Sequence, residues 1–159
     1  MSAQMKALFS STQVAFAPLL ATRLDDVMQV EQQAYAHPWS RANFLDALHS
    51  GYQAQMLVAD DAVIGYFVAM LGVDEVHLLN ITVAPDFQGQ GWAKVLLDAL
   101  AIWARGQNTQ WLWLEVRTGN TRALQAYEAA GFRRMGLRKA YYPAAHGQRE
   151  DALVMSLRL

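Results

Sequence analysis

The stretch from Ile81 to Leu97, ITVAPDFQGQGWAKVLL, predicts a strand, a glycine loop and the start of a helix in direct succession. Its first three residues are β-branched, and Pro85 ends the strand because it has no N–H to donate to a neighbour. Glycines follow at positions 89 and 91, and helical spacing of apolar residues begins at Trp92. The unpaired N–H groups and dipole of a helix start make this loop a candidate anion site. A strand-to-helix turn with a glycine hinge is the alternative.

The spacing of this loop excludes two common phosphate-binding motifs. A P-loop requires Gly-Lys-Ser/Thr after four intervening residues, and nothing here supplies it. A dinucleotide fingerprint requires a glycine three positions after the second one, where this chain has Lys94. Residues 88–93 instead have the form Gln-x-x-Gly-x-Ala. This form resembles the pyrophosphate loop of the GCN5-related N-acetyltransferases, which bind acetyl-CoA.

The composition predicts one soluble domain. Of the 159 residues, 53% are hydrophobic and 17% are charged, and the net charge is −1. A chain of this kind forms one packed core and lacks the basic character of a broad nucleic-acid surface. It has no cysteine and no apolar run long enough to span a membrane. We therefore expect a single domain over residues 14–159 after a loose leader of residues 1–13. We also expect a cytoplasmic protein, favour a monomer, and predict no direct nucleic-acid or membrane partner.

The order of predicted elements is βααβββαβαββ, which is typical of an α/β fold. The second and third strands form a hairpin that turns at Asp60 and Asp61, and a capping box at residues 22–25 starts the first helix. Ser40 is predicted to cap the second helix. We expect a twisted, mixed, mostly antiparallel sheet of about seven strands, with about four helices on both faces. The predicted strands cover residues 14–20, 53–59, 62–71, 75–83, 111–116, 132–142 and 150–157.

Glu115 is the residue that most suggests chemistry, because it interrupts the apolar strand WLWLEV. A buried carboxylate is costly unless it is paired or used. The alternative is an ion pair with Arg117 or with an arginine of the next strand. Tyr127 follows Asn120 by two helical turns, so both side chains point along one line, although a core tyrosine is the simpler interpretation. The four histidines show no metal-ligand spacing, and we expect each to be structural or solvated.

A further set of motifs resembles the RimI-type ribosomal-protein alanine N-acetyltransferases, which belong to the same superfamily. The resemblance covers about residue 20 to the end. It is carried by residues 36–40 (AHPWS), 113–117 (WLEVR), 120 (N), 127–132 (YEAAGF) and 141–143 (YYP).

This resemblance implies a reaction and a set of sites. It implies that Glu115 accepts a proton, that Tyr127 donates one, and that acetyl-CoA is the co-substrate without any metal. The strands ending at Val83 and Val116 are expected to diverge, with the acetyl thioester between them. The implied acceptor is the N-terminal alanine of a small-subunit ribosomal protein, in a groove lined by Trp39, Tyr141 and Tyr142. The implied acetyl-CoA contacts are Ile81, Thr82, Val83, Gln88, Gly89, Gln90, Gly91, Trp92, Ala93, Lys94 and Asn120.

The chain departs from the family pattern at two positions, and two other functions are also compatible with its sequence. Gly89 stands where an arginine is common, which removes one phosphate partner, and Gly119 is expected to loosen the turn before Asn120. An acetyltransferase for a small-molecule amine would have the same fold. A nucleotide-binding module without chemistry would share the loop and the helix that follows it.

Overall fold

The computed structural model describes residues 13–159, so nearly all of the expected leader lies outside the described residues. Seven strands form one sheet in the order β1-β2-β3-β4-β5-β7-β6. Its β4–β5 pair is parallel, and β1–β2, β2–β3, β5–β7 and β6–β7 are antiparallel. The strands are β1 (Val14–Pro18), β2 (Gln53–Ala59), β3 (Ala62–Leu71), β4 (Glu75–Val83), β5 (Trp111–Arg117), β6 (Arg133–Pro143) and β7 (Arg149–Arg158).

The helices are α1 (Leu24–Ala34), α2 (Arg41–His49), α3 (Trp92–Gly106) and α4 (Thr121–Ala129). The predicted α/β class, with seven strands and four helices, is confirmed. Within residues 13–159, no helix has the length and apolar character that crossing a membrane requires.

The chain divides into two compact units. The first contains the described residues up to Ala69 together with Asn80–Asp98, and the second contains Met70–Leu79 with Ala99–Leu159. The glycine loop therefore belongs to the first unit, whereas Glu115 and Tyr127 belong to the second.

The core of the first unit explains where α1 and α2 form. Leu24 and Val27 of α1 and Phe44 of α2 are buried in one cluster with Met56 and side chains of β3. Their three- and four-residue spacing places them on the inner face of each helix, and burying a side chain of this size stabilises the fold by about 1.5–3 kcal/mol. One position on the inner face of α1 is filled by a carboxylate, Glu31, which is 1% exposed.

The two helix starts differ from each other. Ser40 caps α2 as predicted, because its Oγ accepts from Asn43 N and Asn43 Oδ1 accepts from Ser40 N. The capping box predicted for α1 is wrong. A single 3₁₀ turn occupies residues 21–23, α1 begins at Leu24, and no side chain caps it. The side chain of Arg23 binds Asp26 there, and two aspartates in the first turn offset the helix dipole.

The second unit carries a half-exposed polar face on its part of the sheet. Along β5, Leu112, Leu114 and Val116 are buried, whereas the alternate residues from Trp111 to Arg117 are only partly covered. The alternation places Trp111, Trp113 and Glu115 together on this partly covered face. Because antiparallel partners also share a face, Val154 of β7 lies on it opposite Glu115.

The outer strand β6 contains a bulge that decides which side chain reaches this face. Three residues, 139–141, lie opposite the single residue Asp151, between the pairs Arg138–Ala152 and Tyr142–Glu150. Ala140 in this bulge has a φ of 50°, and its N–H donates to Asp151 Oδ1 at 2.8 Å. A regular strand would place residue 140 opposite Glu150. The bulge places Tyr142 there instead.

Candidate active site

The glycine loop of the first unit is held in one shape by its own side chains. Gly89 and Gly91 have φ values of 75° and 98°, which L-residues with a side chain rarely adopt. Gln88 Nε2 donates to Val83 O at 3.1 Å, and Gln90 Nε2 donates to Asp86 O at 3.3 Å. A Cβ at Gly89 would have no atom within 4 Å, so this glycine is required by its conformation and the space beside it is open.

The first residues of α3 offer a ligand their main-chain groups more than their side chains. Trp92 is 1% exposed, and its Nε1 donates to Gln90 Oε1 at 3.2 Å. Lys94 forms an exposed ion pair with Asp98 at 2.7 Å. Of the predicted acetyl-CoA contacts in this segment, Trp92 therefore offers a ligand only its main chain, and the first-turn N–H groups are candidate anion-binding groups.

The end of β4 is fixed from the side of α1. Tyr35 Oη lies 2.8 Å from Ile81 O and 2.9 Å from Thr82 Oγ1. Thr82 Oγ1 also donates to Asn80 Oδ1 at 2.8 Å. Burial raises the pKa of Tyr35 to about 12, so its hydroxyl stays protonated at neutral pH. Thr82 is 3% exposed and its side chain makes both of these contacts, which leaves its main chain for any ligand.

Glu31 connects this strand to the loop that contains Trp39. Its carboxylate accepts from Tyr66 Oη at 2.5 Å, from Asn80 Nδ2 at 3.1 Å and from Trp39 N at 2.9 Å. The Trp39 ring packs edge-on against Phe44, with 5.0 Å between ring centroids. Burial, and then the neighbouring Glu31, raise the pKa of Tyr66 far above its ordinary value. No feature of the sequence pattern indicated this network.

Glu115 of the second unit has cationic partners. Its side chain is 9% exposed, with Oε2 at 2.5 Å from His77 Nε2 and Oε1 at 3.4 Å from Arg138 Nε. Burial alone raises the pKa of Glu115. The hydrogen bond from His77 and the charges of His77 and Arg138 outweigh burial, so the pKa lies below its ordinary value. Glu115 is therefore ionised at neutral pH, and of the two arginine partners considered, the one on the next strand is found.

His77 is a partner of Glu115 that the sequence interpretation did not include. The parallel pairing of β4 with β5 covers residues 75–77 and 111–113, and it places His77 opposite Trp113. Glu115 is two residues further along β5 and on the same face. The side chain of His77 is 28% exposed, so it connects the enclosed carboxylate with water. This contact is compatible with the expectation that each histidine is structural or solvated.

Tyr141, the last residue of the bulge, and Tyr142, which follows it, pack against each other and against two arginines. The rings of Tyr141 and Tyr142 meet edge to face at 4.9 Å. Arg117 lies over Tyr142 at 4.6 Å, and Arg138 lies over Tyr141 at 5.4 Å. Burial, and then the negative charge of Glu115, raise the pKa of Tyr142 to about 12. Arg117 does not reach Glu115 as an ion-pair partner; it binds Glu150 at 3.3 Å instead.

Asn120 and Tyr127 each have a structural contact. Asn120 caps α4, with its Oδ1 accepting from Ala123 N at 3.2 Å. Tyr127 is 9% exposed and packs on Phe132, with 5.7 Å between ring centroids. Gly119 N donates to Glu150 Oε2 at 2.8 Å, and a Cβ at 119 would lie 2.7 Å from the same oxygen. Gly119 thus admits the carboxylate that fixes this turn, and the expectation of a loosened turn is wrong.

The match to a family model identifies the family of this chain. Residues 24–132 match the model described as the acetyltransferase (GNAT) family. The chain belongs to the GNAT family. The predicted GNAT fold and acetyltransferase class are confirmed, whereas the roles assigned to single residues stay predictions.

Individual GNAT proteins are similar to this chain over most of their length. The chain is 39% identical over 139 residues to a ribosomal protein bS18-alanine N-acetyltransferase of Salmonella typhimurium, covering 87% of this chain and 93% of the relative. It is 40% identical over 135 residues to the Haemophilus ducreyi protein of the same name, covering 84% and 92%. The crystal structure of the Escherichia coli ribosomal-protein-S18-alanine N-acetyltransferase superposes with a TM-score of 0.84 at 34% identity, covering 92% of this chain and 94% of that one.

Proposed function

We propose that this GNAT protein transfers the acetyl group of acetyl-CoA to the N-terminal α-amine of a small-subunit ribosomal protein that begins with alanine. The observation that carries this proposal is the identity of 39% and 40% with two bS18-alanine N-acetyltransferases over more than four fifths of the chain. The proposal also includes a cytoplasmic location, because the acceptor is a ribosomal protein. It includes a monomer, because the sequence predicts a single domain.

Acetyl-CoA binding is assigned to the glycine loop and the end of β4. In this proposal the N–H groups of residues 88–94 bind the pyrophosphate, and the main chain of Ile81, Thr82 and Val83 binds along the acetyl and pantetheine arm. The open space beside Gly89 and the positive φ of both glycines support this assignment. Asn120 would contribute the amide nitrogen that its capping bond leaves available.

Acetyl transfer in this proposal requires no covalent enzyme intermediate. The α-amine has an ordinary pKa of about 7.7–8.0, so a useful fraction is already neutral near pH 7. The neutral amine attacks the thioester carbon, the new N–C bond forms and the C–S bond breaks. Glu115 accepts the N–H proton, the N–H of Val83 stabilises the oxyanion, and Tyr127 protonates the leaving thiolate.

Peptide recognition is assigned to Trp39, Tyr141 and Tyr142. Tyr141 is 41% exposed beside Arg138, so it offers both an aromatic surface and a neighbouring cation. Trp39 is anchored through its main chain to Glu31, which fixes the loop that presents its ring. We therefore assign these three side chains to the first residues of the acceptor.

The test is a direct comparison of acceptors. Purified protein is incubated with acetyl-CoA and either an alanine-first peptide or a panel of small amines, and mass spectrometry measures the acetylated product. The proposal predicts a kcat/KM for the peptide at least about 100-fold higher, a difference of about 2.7 kcal/mol in transition-state stabilisation. Equal values for both acceptor classes would support the small-amine alternative instead.

The cofactor assignment has a separate test. Thermal shift with CoA and with NAD distinguishes the proposed acetyl-CoA site from a dinucleotide-binding module. We expect CoA to raise the melting temperature and NAD to leave it unchanged. The reverse result would remove the acetyl-CoA assignment, whatever the acceptor assay shows.

A further inference from the structure

The side chain of His77 makes a single polar contact within the described part of the chain, and that contact is to Glu115. The 2.5 Å separation joins Nε2 to Glu115 Oε2. Glu115 is nearly enclosed at 9% exposed, whereas His77 is 28% exposed. The pair therefore forms a path from an enclosed carboxylate, through an imidazole ring, to water.

We propose that His77 carries the proton that Glu115 receives during acetyl transfer out to the solvent. This inference rests on the proposed function, because it takes Glu115 as the group that accepts the proton of the attacking amine. It adds a residue to which the family resemblance gave no role.

The other groups around Glu115 cannot perform this task. Arg138 and Tyr142 face Glu115 from β6, and the residue opposite it on β7 is Val154, which does not titrate. An arginine stays protonated at all physiological pH values, so Arg138 cannot accept a proton. Tyr142, with its pKa raised to about 12, stays neutral and already holds its proton. Histidine is the side chain whose ordinary pKa lies near neutral pH, so His77 is the neighbour that can both accept and release a proton there.

The proton transfers balance without any further reagent. The amine nitrogen loses one proton to Glu115 as the N–C bond forms and the C–S bond breaks. Glu115 passes this proton to the Nε2 lone pair of His77, and the resulting imidazolium releases its Nδ1 proton to water. Exchange of the remaining ring proton with water then restores the Nε2 lone pair. Tyr127 gives its proton to the thiolate and regains one from water, so the net proton count is zero. The carboxylate is thereby returned to its ionised form for the next turnover.

The first test separates proton transfer from simple positioning. In His77→Gln the amide can still donate a hydrogen bond to Glu115, but it cannot accept and release a proton. We expect kcat on an alanine-first peptide at pH 7 to fall by about 10²-fold, the lower end of general acid–base contributions. Added imidazole, a small diffusible base, should restore a large part of the lost rate. His49→Gln, at an exposed position on α2, is the matched control and should show neither effect.

The second test is a double-mutant cycle with Glu115→Gln. If His77 acts only on the proton that Glu115 receives, His77→Gln should add little to the loss caused by Glu115→Gln, and imidazole should not restore that background. Wild-type kcat in His77→Gln, a loss that imidazole leaves unchanged, or full additivity would each overturn the inference. Circular dichroism checks folding, and His77→Asn replaces His77→Gln if the latter does not fold.

Failure of the proposed function is a separate outcome. If the wild-type protein acetylates a small amine and not the peptide, the peptide assignment is wrong. The same cycle is then run on the small amine, where recovery with imidazole still decides the role of His77.

Discussion

Two enclosed glutamates, one in each unit, differ in the groups that surround them. Glu31 is 1% exposed and accepts from three neutral donors: a tyrosine hydroxyl, an asparagine amide and a main-chain N–H. Glu115 is 9% exposed and lies between a histidine and an arginine. Their burial is similar, but only Glu115 has a neighbour that can exchange protons near neutral pH.

The difference shows that burial alone does not identify a functional carboxylate. The partners of Glu31 are fixed donors that lock α1, β3, β4 and the Trp39 loop of the first unit together, so its value is structural. The partners of Glu115 include one imidazole ring that is partly exposed, which supports the chemical role proposed for this carboxylate. Substitutions at the two positions should therefore separate stability from turnover.

Glu115→Gln should have the largest effect on turnover. It keeps the shape of the side chain and removes the base, so kcat should fall by about 10²–10⁴-fold and recover in part at high pH, where the amine deprotonates unaided. Steady-state kinetics from pH 6 to about pH 9.5 measure both features. Tyr127→Phe is the comparison variant, since its loss should not recover at high pH. A Glu115→Gln protein with near-normal kcat and lowered thermal stability would make Glu115 a structural ion-pair member.

Glu31→Ala should have the largest effect on stability. It leaves the donors of Tyr66, Asn80 and Trp39 without their acceptor, and each unpaired buried group costs about 1–3 kcal/mol. We expect the free energy of unfolding to fall by about 3–5 kcal/mol, measured by urea denaturation. Glu31→Gln, which keeps one acceptor oxygen, should lose less. Equal stabilities for wild type and Glu31→Ala would contradict the structural role of Glu31.

Gly91→Val tests the glycine loop, which is assigned to CoA binding and contains neither glutamate. The φ of 98° at this position strains any residue with a side chain, and a branched side chain would hinder a phosphate from approaching the loop. CoA affinity should fall by about 10-fold or more, equivalent to at least 1.4 kcal/mol. Calorimetry on the folded variant measures it, with Gly51→Val as a control at another positive-φ glycine. Unchanged CoA affinity would remove the loop from the binding site.

The ionisation of Glu115 predicts a smaller effect, on stability in acid. Its pKa is lowered in the folded protein, so its contribution is present above the unfolded pKa and is lost as pH falls through the folded one. Melting temperatures of wild type and Glu115→Gln should therefore differ most at neutral pH and converge as the pH falls through the lowered pKa of Glu115. A difference that grows on acidification would contradict the direction of the shift.

Ala140→Gly should have the smallest effect, and it should be stabilising. Ala140 adopts a φ of 50°, which glycine adopts without steric cost. Relief of this strain, set against the greater chain entropy of unfolded glycine, leaves about 0–1 kcal/mol of stabilisation. Thermal unfolding measures it, with Ala144→Gly, at an extended φ of −133°, as the control that should lose stability.

The sequence predicted the features that depend on local pattern. Apolar spacing and punctuation by Gly, Pro and Ser placed all seven strands within a few residues of their observed bounds and predicted the starts of α2 and α3. The apolar pattern of β5 singled out Glu115 as a carboxylate in an apolar strand, and the structure places it on the partly covered face. The capping box predicted at residues 22–25 does not form, and the side chain of Arg23 binds Asp26 at this helix start.

The partners of the two glutamates could not be predicted because they are non-local. His77 reaches Glu115 through a parallel register that no turn fixes, and Arg138 reaches it from a strand whose register shifts at a bulge. The Glu31 network likewise joins residues separated by 35 and 49 positions. A single sequence carries no signal for such pairings, although a carboxylate at an inner helical position was a visible sign that buried donors had to exist.

The bulge in β6 also limits how this strand can change in length. It contains an even number of additional residues, since three positions, 139–141, face one. Because successive strand residues point to opposite faces, loss of a single residue here would turn Tyr142 away from Arg117 and Glu115 and turn Tyr141 inward. Loss of two would return the strand to regular pairing with its parity intact. Natural variation in length at this position should therefore occur in steps of two, and a gap of one residue should coincide with a changed acceptor.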